Sequence, residues 1–247
     1  DIAHMRAHLP DHLELVELND RALVALQGPK AAEILSRFAN GADQMDFMSY
    51  AEVEICGAKC FISRCGYTGE DGHEISIPAD KAIEVCKTIL KEPEVEAIGL
   101  GARDSLRLEA GLCLYGHDIT VNTTPVEAAL VWSIGKRRRE QGGFPGAEKI
   151  LTQISSGNIE RKRVGILPSG RAPAREGTEI LDADDNVIGI ITSGGFGPTF
   201  AGPIAMGYVT LKNAETGTSV FLQVRKNKLE AKVAAMPFVP QKYYRKK

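Results

Sequence analysis

Three carboxylates, Glu70, Asp71 and Glu74, fall within the stretch RCGYTGEDGHEIS, residues 64–76, and could hold a ligand or move a proton. Asp71-Gly72 is typical of a hairpin turn, because glycine accepts positive φ and aspartate bonds the backbone that follows it. Asp71 and the adjacent Glu70 are therefore interpreted as structural. Glu74 shares one strand face with Ser76, opposite Ile75 and Ile77. Glu74 is then either a fixed acceptor lining a cleft or a solvent-exposed glutamate, which is the commoner case.

Two arginines, Arg103 and Arg107, lie four residues apart in GLGARDSLRLEAG, residues 99–111, which the pattern predicts to be a helix closed by glycine. Like charges at this spacing cost about 0.2–0.5 kcal/mol unless an anion offsets them. Asp104 can reach Arg107 but not Arg103, since adjacent helical residues do not face each other. Arg103 is therefore expected to need a partner. A protein carboxylate is the commoner partner and a ligand carboxylate the alternative.

A short basic run follows Trp132, the only tryptophan, and consists of Lys136, Arg137, Arg138 and Arg139. Nucleic-acid binding is not favoured for a chain of formal net charge −2. A solvent-exposed loop or a contact with an acidic protein fits better, and we prefer the contact. Trp132 itself is expected in a core, as lone tryptophans usually are. Tyr243, near the C-terminus, gains importance only if the tail folds back over a site.

Metal and membrane chemistry find little support in the sequence. The five histidines are not spaced with cysteines or carboxylates as metal ligands, so no metal site is predicted. The five cysteines show neither a disulfide framework nor paired zinc-type spacing and are interpreted as free thiols. No apolar run approaches the roughly 18–20 residues that span a bilayer. The composition, 43% hydrophobic and 25% charged, is that of a soluble globular protein.

The elements that must position these residues follow an α+β order. Strands are predicted over residues 13–27, a helix follows Gly28-Pro29, and two further strands meet at Gly57. TTPVEAALVWSIG is predicted to be a helix opened by Thr124. After about Ser155 the sequence changes to short β-rich runs separated by turn residues, which predicts a small barrel or jelly roll.

Several motifs, taken together and in order, resemble one family from about Leu13 to the end of the chain. They are LQGPKAAEIL, RCGYTGEDGHEISIP, GARDSLRLEAGLCLYGHDI, TTPVEAALVWSIGKRRR, GFPGAEKI, TSGGFGP, AMGYV and MPFVPQKYY. The family is the T-protein, or aminomethyltransferase, family of the glycine cleavage system. No single motif carries the resemblance.

The resemblance implies a tetrahydrofolate-dependent enzyme without a metal. Such an enzyme takes the aminomethyl group from the lipoyl arm of the H-protein, releases ammonia and forms 5,10-methylenetetrahydrofolate. The implied fold is a folate-binding cloverleaf-type α+β region over residues 1–155, incomplete at its N-terminus, and a C-terminal β-barrel domain over 156–247 whose tail returns to the folate site. The implied location is the cytoplasm of a bacterium or the mitochondrial matrix of a eukaryote.

Carried over by position, the family's folate contacts fall on Glu74, Arg103 and Tyr243, with Trp132 as a further candidate. A carboxylate can accept paired hydrogen bonds from a pterin, and an arginine can meet an anionic glutamyl tail or orient Glu74. The resemblance makes the basic run 136–139 a docking surface for the acidic H-protein. The family's catalytic aspartate belongs to an Asp-Asp segment upstream of Leu13, so no catalytic residue is expected in this chain and little turnover is expected from it alone.

Three alternatives compete with this interpretation. The iron-sulfur maintenance branch of the superfamily has Lys-Gly-Cys-Tyr-x-Gly-Gln-Glu where this chain has Arg-Cys-Gly-Tyr-Thr-Gly-Glu-Asp, residues 64–71. The folate domain of a sarcosine or dimethylglycine dehydrogenase would follow a flavin domain. A plain folate-binding module is the third. RCGYTGEDG, GKRRR and PFVPQKYY favour the T-protein.

Overall fold

The computed structural model describes residues 1–245 and divides into two compact units. The first unit contains residues 1–66 and 70–97 together with the C-terminal residues from Tyr243, and the second contains residues 67–69 and 98–242. Both units mix helices with antiparallel sheet, as the α+β prediction requires. No helix within residues 1–245 is long and apolar enough to cross a membrane.

A four-stranded antiparallel sheet organises the first unit, with strand order β1-β4-β3-β2. The hairpin between β2 and β3 turns at Cys56 and Gly57, both with positive φ, where the sequence predicted it. The elements of this unit are α1 (Ile2–His8), β1 (Arg21–Gln27), α2 (Ala31–Ser36), β2 (Tyr50–Ile55), β3 (Ala58–Ser63), β4 (Gly72–Pro78) and α3 (Ala82–Ile89). The strands predicted over residues 13–27 are confirmed only for β1, because residues 9–20 form no strand.

The core of the first unit lies against one face of this sheet. Ile55, Ile62 and Ile75 point into it from three strands, and Leu35 of α2 and Val85 of α3 cover them. All five side chains are fully buried. Burial of a side chain of this size contributes about 1.5–3 kcal/mol, so this packing fixes which face of the sheet is closed and leaves the other face open.

Helices and turns open the second unit. Its helices are α4 (Leu100–Glu109), α5 (Lys136–Gln141) and α6 (Ala147–Ser156), and α4 is followed by Gly111 at φ +68° as the pattern predicted. The helix predicted from Thr124 is wrong. The Thr124 hydroxyl accepts the Glu127 N–H at 3.2 Å in a turn, and Ala129 takes a left-handed φ of 57°, which stops helix propagation. Only a single 3₁₀ turn, Val131–Ser133, follows.

A closed antiparallel barrel completes the second unit and confirms the predicted β-rich region. Its strands are β5 (Arg161–Pro168), β6 (Glu179–Leu181), β7 (Val187–Gly197), β8 (Gly202–Thr210), β9 (Ser219–Val224) and β10 (Asn227–Ala234), in the order β10-β5-β8-β7-β6-β9. Its core contains Ile166, Ile180 and Leu222, all fully buried. Leu108 of α4 packs on Ile204 and Met206 at the outside of the barrel, so α4 is fixed to β8.

Candidate functional site

Glu74 lies on β4, which is an inner strand of the first unit's sheet. It pairs with Ala25 of β1 on one side and with Ser63 of β3 on the other. Ile75 and Ile77 are completely buried while Glu74 is half-buried, so the predicted strand alternation is confirmed. The side chain of Glu74 therefore belongs to the open face of the sheet.

The loop leading into β4 is held by an ion pair between Arg64 and Asp71. The Arg64 Nε and Nη2 atoms donate to the two Asp71 carboxylate oxygens at 3.0 and 2.6 Å, and Arg64 is buried. Burial raises the pKa of Asp71, but the hydrogen bonds and charge of Arg64 outweigh it and lower that pKa below its ordinary value. Asp71 is therefore structural.

Gly72 does not form the hairpin turn that the sequence predicted for Asp71-Gly72. It is the first residue of β4 and does not have positive φ, and the connection from β3 spans residues 64–71. A Cβ atom at this position would lie 2.5 Å from the carbonyl oxygen of Leu26 on the neighbouring strand. Glycine is required there by close approach of the backbones rather than by turn geometry.

The Glu74 carboxylate has one protein partner among residues 1–245. The Cys65 thiol lies 3.5 Å from Oε2, and no described side chain donates a hydrogen bond to Oε1. A half-buried carboxylate with a free oxygen can accept hydrogen bonds from a ligand, and charge-assisted hydrogen bonds are the strong ones. Sequence reasoning missed Cys65, although it stands in the motif that contains Glu74.

The C-terminal residues are fixed to the first unit by aromatic contacts. The Tyr243 ring stacks on Phe47 with centroids 4.5 Å apart and an interplanar angle of 19°. The Arg64 guanidinium lies 3.9 Å from the centroid of the Tyr244 ring, and that of Arg245 lies 5.5 Å from the Phe47 ring. These contacts hold the end of the tail against the first unit; the return of the tail to a folate site, which the family resemblance implies for Tyr243, stays a prediction. Phe47 carries no sequence signal that would have singled it out.

Arg103, on α4 in the second unit, has an aromatic partner. Its guanidinium lies 4.7 Å from the centroid of the Tyr67 ring, and the Tyr67 hydroxyl donates to the carbonyl of Cys113. In the part of the chain that the structure describes, Arg103 forms no ion pair, so the protein carboxylate expected from the sequence is wrong. The stacking holds the guanidinium without neutralising its charge.

Arg107 has the partner that the sequence predicted and a second one that it did not. The Asp104 carboxylate accepts from Nη2 at 2.6 Å, which confirms the predicted pair. Asp118 accepts from Nη1 at 2.8 Å and is itself buried. The two arginines of α4 therefore differ: the charge of Arg107 is matched inside the protein and that of Arg103 is left available.

Trp132 is exposed rather than in the core, with 75% of its surface accessible. It stands at the edge of a cavity of about 420 Å³ in the second unit that also includes Cys113, Arg163 and Met236. Arg163 is buried there and donates to the carbonyls of Ala128 at 2.9 Å and Gly111 at 3.0 Å. The expectation that a lone tryptophan belongs to the core is wrong: Trp132 lies in a 3₁₀ turn that contains no buried residue.

The basic run forms the exposed helix α5 instead of a loop. Lys136 lies 3.8 Å from Glu140, and Arg138 donates to the carbonyl of Gly143 at 3.0 Å. The side chains of Arg137 and Arg139 form no hydrogen bond or ion pair with any residue that the structure describes. Two of the four cations are therefore available to a partner.

The predicted site residues divide between the two units. Glu74 and Tyr243 belong to the first, and Arg103, Trp132 and the basic run belong to the second. Residues 1–245 contain no group of three or more histidine, cysteine, aspartate or glutamate side chains placed to hold a metal ion. The fold and these side chains define a class of protein, an α+β unit with an open carboxylate-bearing sheet joined to a closed six-stranded barrel.

Two family models match the chain. The model described as the GCVT N-terminal domain covers residues 1–138, and that described as the glycine cleavage T-protein C-terminal barrel domain covers residues 161–240. The chain belongs to the glycine cleavage T-protein family. The predicted resemblance is confirmed, and the dehydrogenase and iron-sulfur maintenance alternatives are not favoured.

Named relatives agree with this assignment. Mitochondrial aminomethyltransferase of Solanum tuberosum is 47% identical over 99% of this chain and 62% of the relative, and that of Homo sapiens is 48% identical over 93% and 57%. A crystal structure of glycine cleavage system aminomethyltransferase T from Bartonella henselae matches with a TM-score of 0.86 and 46% identity, over 91% of this chain and 61% of the other. The chain thus spans about 60% of the length of these relatives.

Proposed function

We propose that this protein carries out tetrahydrofolate-dependent aminomethyl transfer in glycine cleavage. In that reaction the aminomethyl group carried on the lipoyl arm of the H-protein is transferred, ammonia is released and 5,10-methylenetetrahydrofolate is formed. The observation that carries the proposal is the Glu74 carboxylate, half-buried on an open sheet face with one oxygen that no described side chain engages. Family membership and the named aminomethyltransferases support it.

The groups of the first unit fit a pterin. A pterin presents adjacent N–H donors on one edge, and a carboxylate such as that of Glu74 accepts two such donors together. Tyr243, stacked on Phe47, offers an aromatic ring and a hydroxyl. When bound, tetrahydrofolate supplies the nitrogens that accept the one-carbon unit, while Glu74 and Tyr243 bind the ring and orient it.

In the second unit we propose roles for Arg103 and Trp132. Arg103 retains an unpaired charge above Tyr67, which suits a carboxylate of a glutamyl tail. Trp132 offers an exposed aromatic face beside a cavity of the second unit, which suits stacking with an aromatic ring. We assign no catalytic acid or base to this chain. Its proposed residues bind the substrate and hold its orientation.

Anaerobic titration calorimetry with tetrahydrofolate tests the proposal. Glu74→Gln keeps the shape of the side chain but removes the charge, and losing one or two charge-assisted hydrogen bonds weakens binding by about tenfold or more. Glu84→Gln is the matched control, because Glu84 is an exposed glutamate of α3 that pairs with Lys81. The proposal is wrong if Glu74→Gln and the control bind tetrahydrofolate equally well.

We further propose that α5 contacts the lipoylated H-protein. The side chains of Arg137 and Arg139 are exposed and have no hydrogen-bond or ion-pair partner among the described residues, so an acidic surface can pair with both. Charge reversal at the two positions is expected to slow association and to reduce its dependence on salt, because exposed charges mainly steer the encounter. The control reverses the charge of Lys87 and Lys91, two exposed lysines in and just after α3, which is an equal change of charge. Equal association rates for both variants would contradict this surface.

The proposed activity also implies a location. Glycine cleavage would place the protein in the mitochondrial matrix of a eukaryote or the cytoplasm of a bacterium, and the plant and mammalian relatives are named as mitochondrial.

A further inference from the structure

The Cys65 thiol contacts the carboxylate of Glu74. Its Sγ atom lies 3.5 Å from Glu74 Oε2, and within residues 1–245 it is the only side-chain donor to that carboxylate. The thiol holds Oε2 of the carboxylate, and Oε1 stays available to accept hydrogen bonds from a ligand. Cys65 is half-buried, so the contact is partly sheltered from competing water.

The backbone of Cys65 is tied to the strand that carries Glu74. The Gln27 side-chain amide donates to the carbonyl of Cys65 at 3.0 Å and to the carbonyl of His73 at 3.3 Å. Gln27 therefore links the residue before Glu74 to the residue that bears the thiol. Because His73 and Glu74 are adjacent, this link holds the backbone of Cys65 beside the strand that carries the carboxylate.

Gly66, the residue after Cys65, leaves space for the Gln27 amide that forms this link. A Cβ atom on Gly66 would lie 1.9 Å from Oε1 and 2.5 Å from Cδ of Gln27, so only glycine leaves room for the amide.

The Cys65 thiol remains protonated and can therefore act as a hydrogen-bond donor. Burial, followed by the neighbouring charge of Glu74, raises the pKa of Cys65 to about 11, so the sulfur keeps its proton at neutral pH.

We propose that Cys65 is a positioning residue for the Glu74 carboxylate: the thiol donates to Oε2 and so directs Oε1 toward the hydrogen-bond donors of the bound substrate. This inference rests on the proposed function, in which Glu74 binds the pterin. Cys65 itself contacts neither the substrate nor the reacting atoms.

The test compares Cys65→Ala, which removes the donor, with Cys65→Ser, which keeps a hydroxyl donor. Calorimetry with tetrahydrofolate should give a dissociation constant about two- to tenfold higher for Cys65→Ala, because one hydrogen bond that orders the carboxylate is lost. Cys65→Ser should restore most of the affinity. Cys86→Ala, a half-buried cysteine of α3, is the matched control and should bind as the parent does.

A double-mutant cycle separates positioning from general stability. If Cys65 acts through Glu74, then Cys65→Ala has little further effect on binding in a Glu74→Gln background. If the role of Cys65 is merely structural, Cys65→Ala weakens tetrahydrofolate binding by the same factor in the parent and in Glu74→Gln. That result would overturn the proposal. Thermal melting of each variant shows whether it is folded at the temperature of the titration.

A Raman measurement without ligand tests the Cys65–Glu74 hydrogen bond directly, so its result does not depend on how well the variants bind tetrahydrofolate. The S–H stretch of Cys65, assigned in the Raman spectrum by its absence in Cys65→Ser, should lie at a lower frequency than that of exposed Cys56, as expected for a donating thiol. Glu74→Gln should shift the stretch. An unshifted frequency overturns the positioning role. If instead Glu74→Gln leaves tetrahydrofolate affinity unchanged while the stretch does shift, the proposed function fails and the Cys65–Glu74 contact stands.

Discussion

Arg107 and Asp118 form a buried ion pair, with 2.8 Å between Nη1 and Oδ2 and side chains that are 4% and 0% exposed. The Ser193 hydroxyl and the Leu114 N–H also donate to Oδ2, at 2.9 and 2.8 Å. The pair therefore joins α4 to strand β7 and to the segment after the helix. The Thr192 hydroxyl donates to Oδ1 at 2.5 Å, so both carboxylate oxygens are hydrogen-bonded, and such bonds are what allow a buried charge to be tolerated.

Arg107→Leu should destabilise the protein strongly, because it leaves the Asp118 carboxylate buried without its cation. Removing one member of such a pair costs about 3–5 kcal/mol, which urea unfolding would measure. Arg103→Leu is the control on the same helix and should cost about 1 kcal/mol or less, since it loses only a stacking contact. Similar losses for both variants would contradict the difference that the structure assigns to the two arginines.

Glu109 gives a second prediction in the same unit. Its buried Oε1 accepts the backbone N–H groups of Thr199 at 2.6 Å and Phe200 at 2.8 Å, which orders the turn after β7. Glu109→Ala removes the acceptor of both amides, and each hydrogen bond lost to the charged carboxylate contributes about 1.5–3 kcal/mol. Amide hydrogen exchange should accelerate at Thr199 and Phe200.

Glu109→Gln is the matched variant, because its amide oxygen can still accept both N–H groups. Exchange at the two amides should remain close to that of the parent. If exchange in Glu109→Ala accelerates equally across the barrel, the carboxylate stabilises the whole unit rather than this turn.

Local patterns were sufficient for much of the fold. Alternation placed Ile75 and Ile77 in the core and Glu74 on the open face, and helical spacing paired Asp104 with Arg107. Each of these depends on residues within a few positions of one another, where strand and helix geometry decide the outcome. The short β-rich runs likewise indicated the barrel, because strand-forming residues and the turn residues that bound them lie within a few positions of one another.

The rest depended on contacts between distant parts of the sequence. Asp118 meets Ser193 across 75 positions, and Gln27 reaches Cys65 across 38, so neither contact leaves a periodic signal. Thr124 opens a pattern with good helix formers, yet the chain forms turns there because Ala129 takes positive φ. Tertiary context overrides propensity at such positions.

His73 makes stability depend on pH. It is buried, its Nε2 atom lies 3.1 Å from the carbonyl oxygen of Ala42, and its Nδ1 atom has no hydrogen-bond partner among the residues described. Burial first, then the charge of Arg64, lowers the pKa of His73 below its ordinary value of 6.5. The unfolded chain therefore binds a proton at a pH where the folded protein does not.

The His73 contribution is fully present above pH 6.5 and is lost as the pH falls toward the lowered folded pKa. The free energy of unfolding should decline there by at most about 1.4 kcal/mol per pH unit for this one proton. His73→Gln should flatten that part of the curve measured by urea unfolding, while His12→Gln, at an exposed histidine, should not. A curve unchanged by His73→Gln would exclude His73 as its source.

Gly66→Ala should disturb the link between Gln27 and the Glu74 strand. The new Cβ would lie 1.9 Å from Gln27 Oε1, so the amide must move and give up its hydrogen bonds to Cys65 and His73. The expected cost in urea unfolding is about 1–3 kcal/mol, from the two hydrogen bonds that the displaced amide loses. Gly101→Ala, with nothing within 4 Å of the new methyl on helix α4, should instead stabilise by roughly 0.5–1 kcal/mol.

Combining Gly66→Ala with Gln27→Ala distinguishes this mechanism from simple backbone strain. Shortening Gln27 removes both the clash and the two hydrogen bonds, so the double variant should cost less than the sum of the single variants. If Gly66→Ala acts through backbone strain instead, the losses of unfolding free energy in Gly66→Ala and Gln27→Ala should add, because that strain does not depend on the side chain of Gln27. Since the same amide fixes the carbonyl of Cys65, the Gly66 variant should also weaken tetrahydrofolate binding, by a factor similar to that of Cys65→Ala.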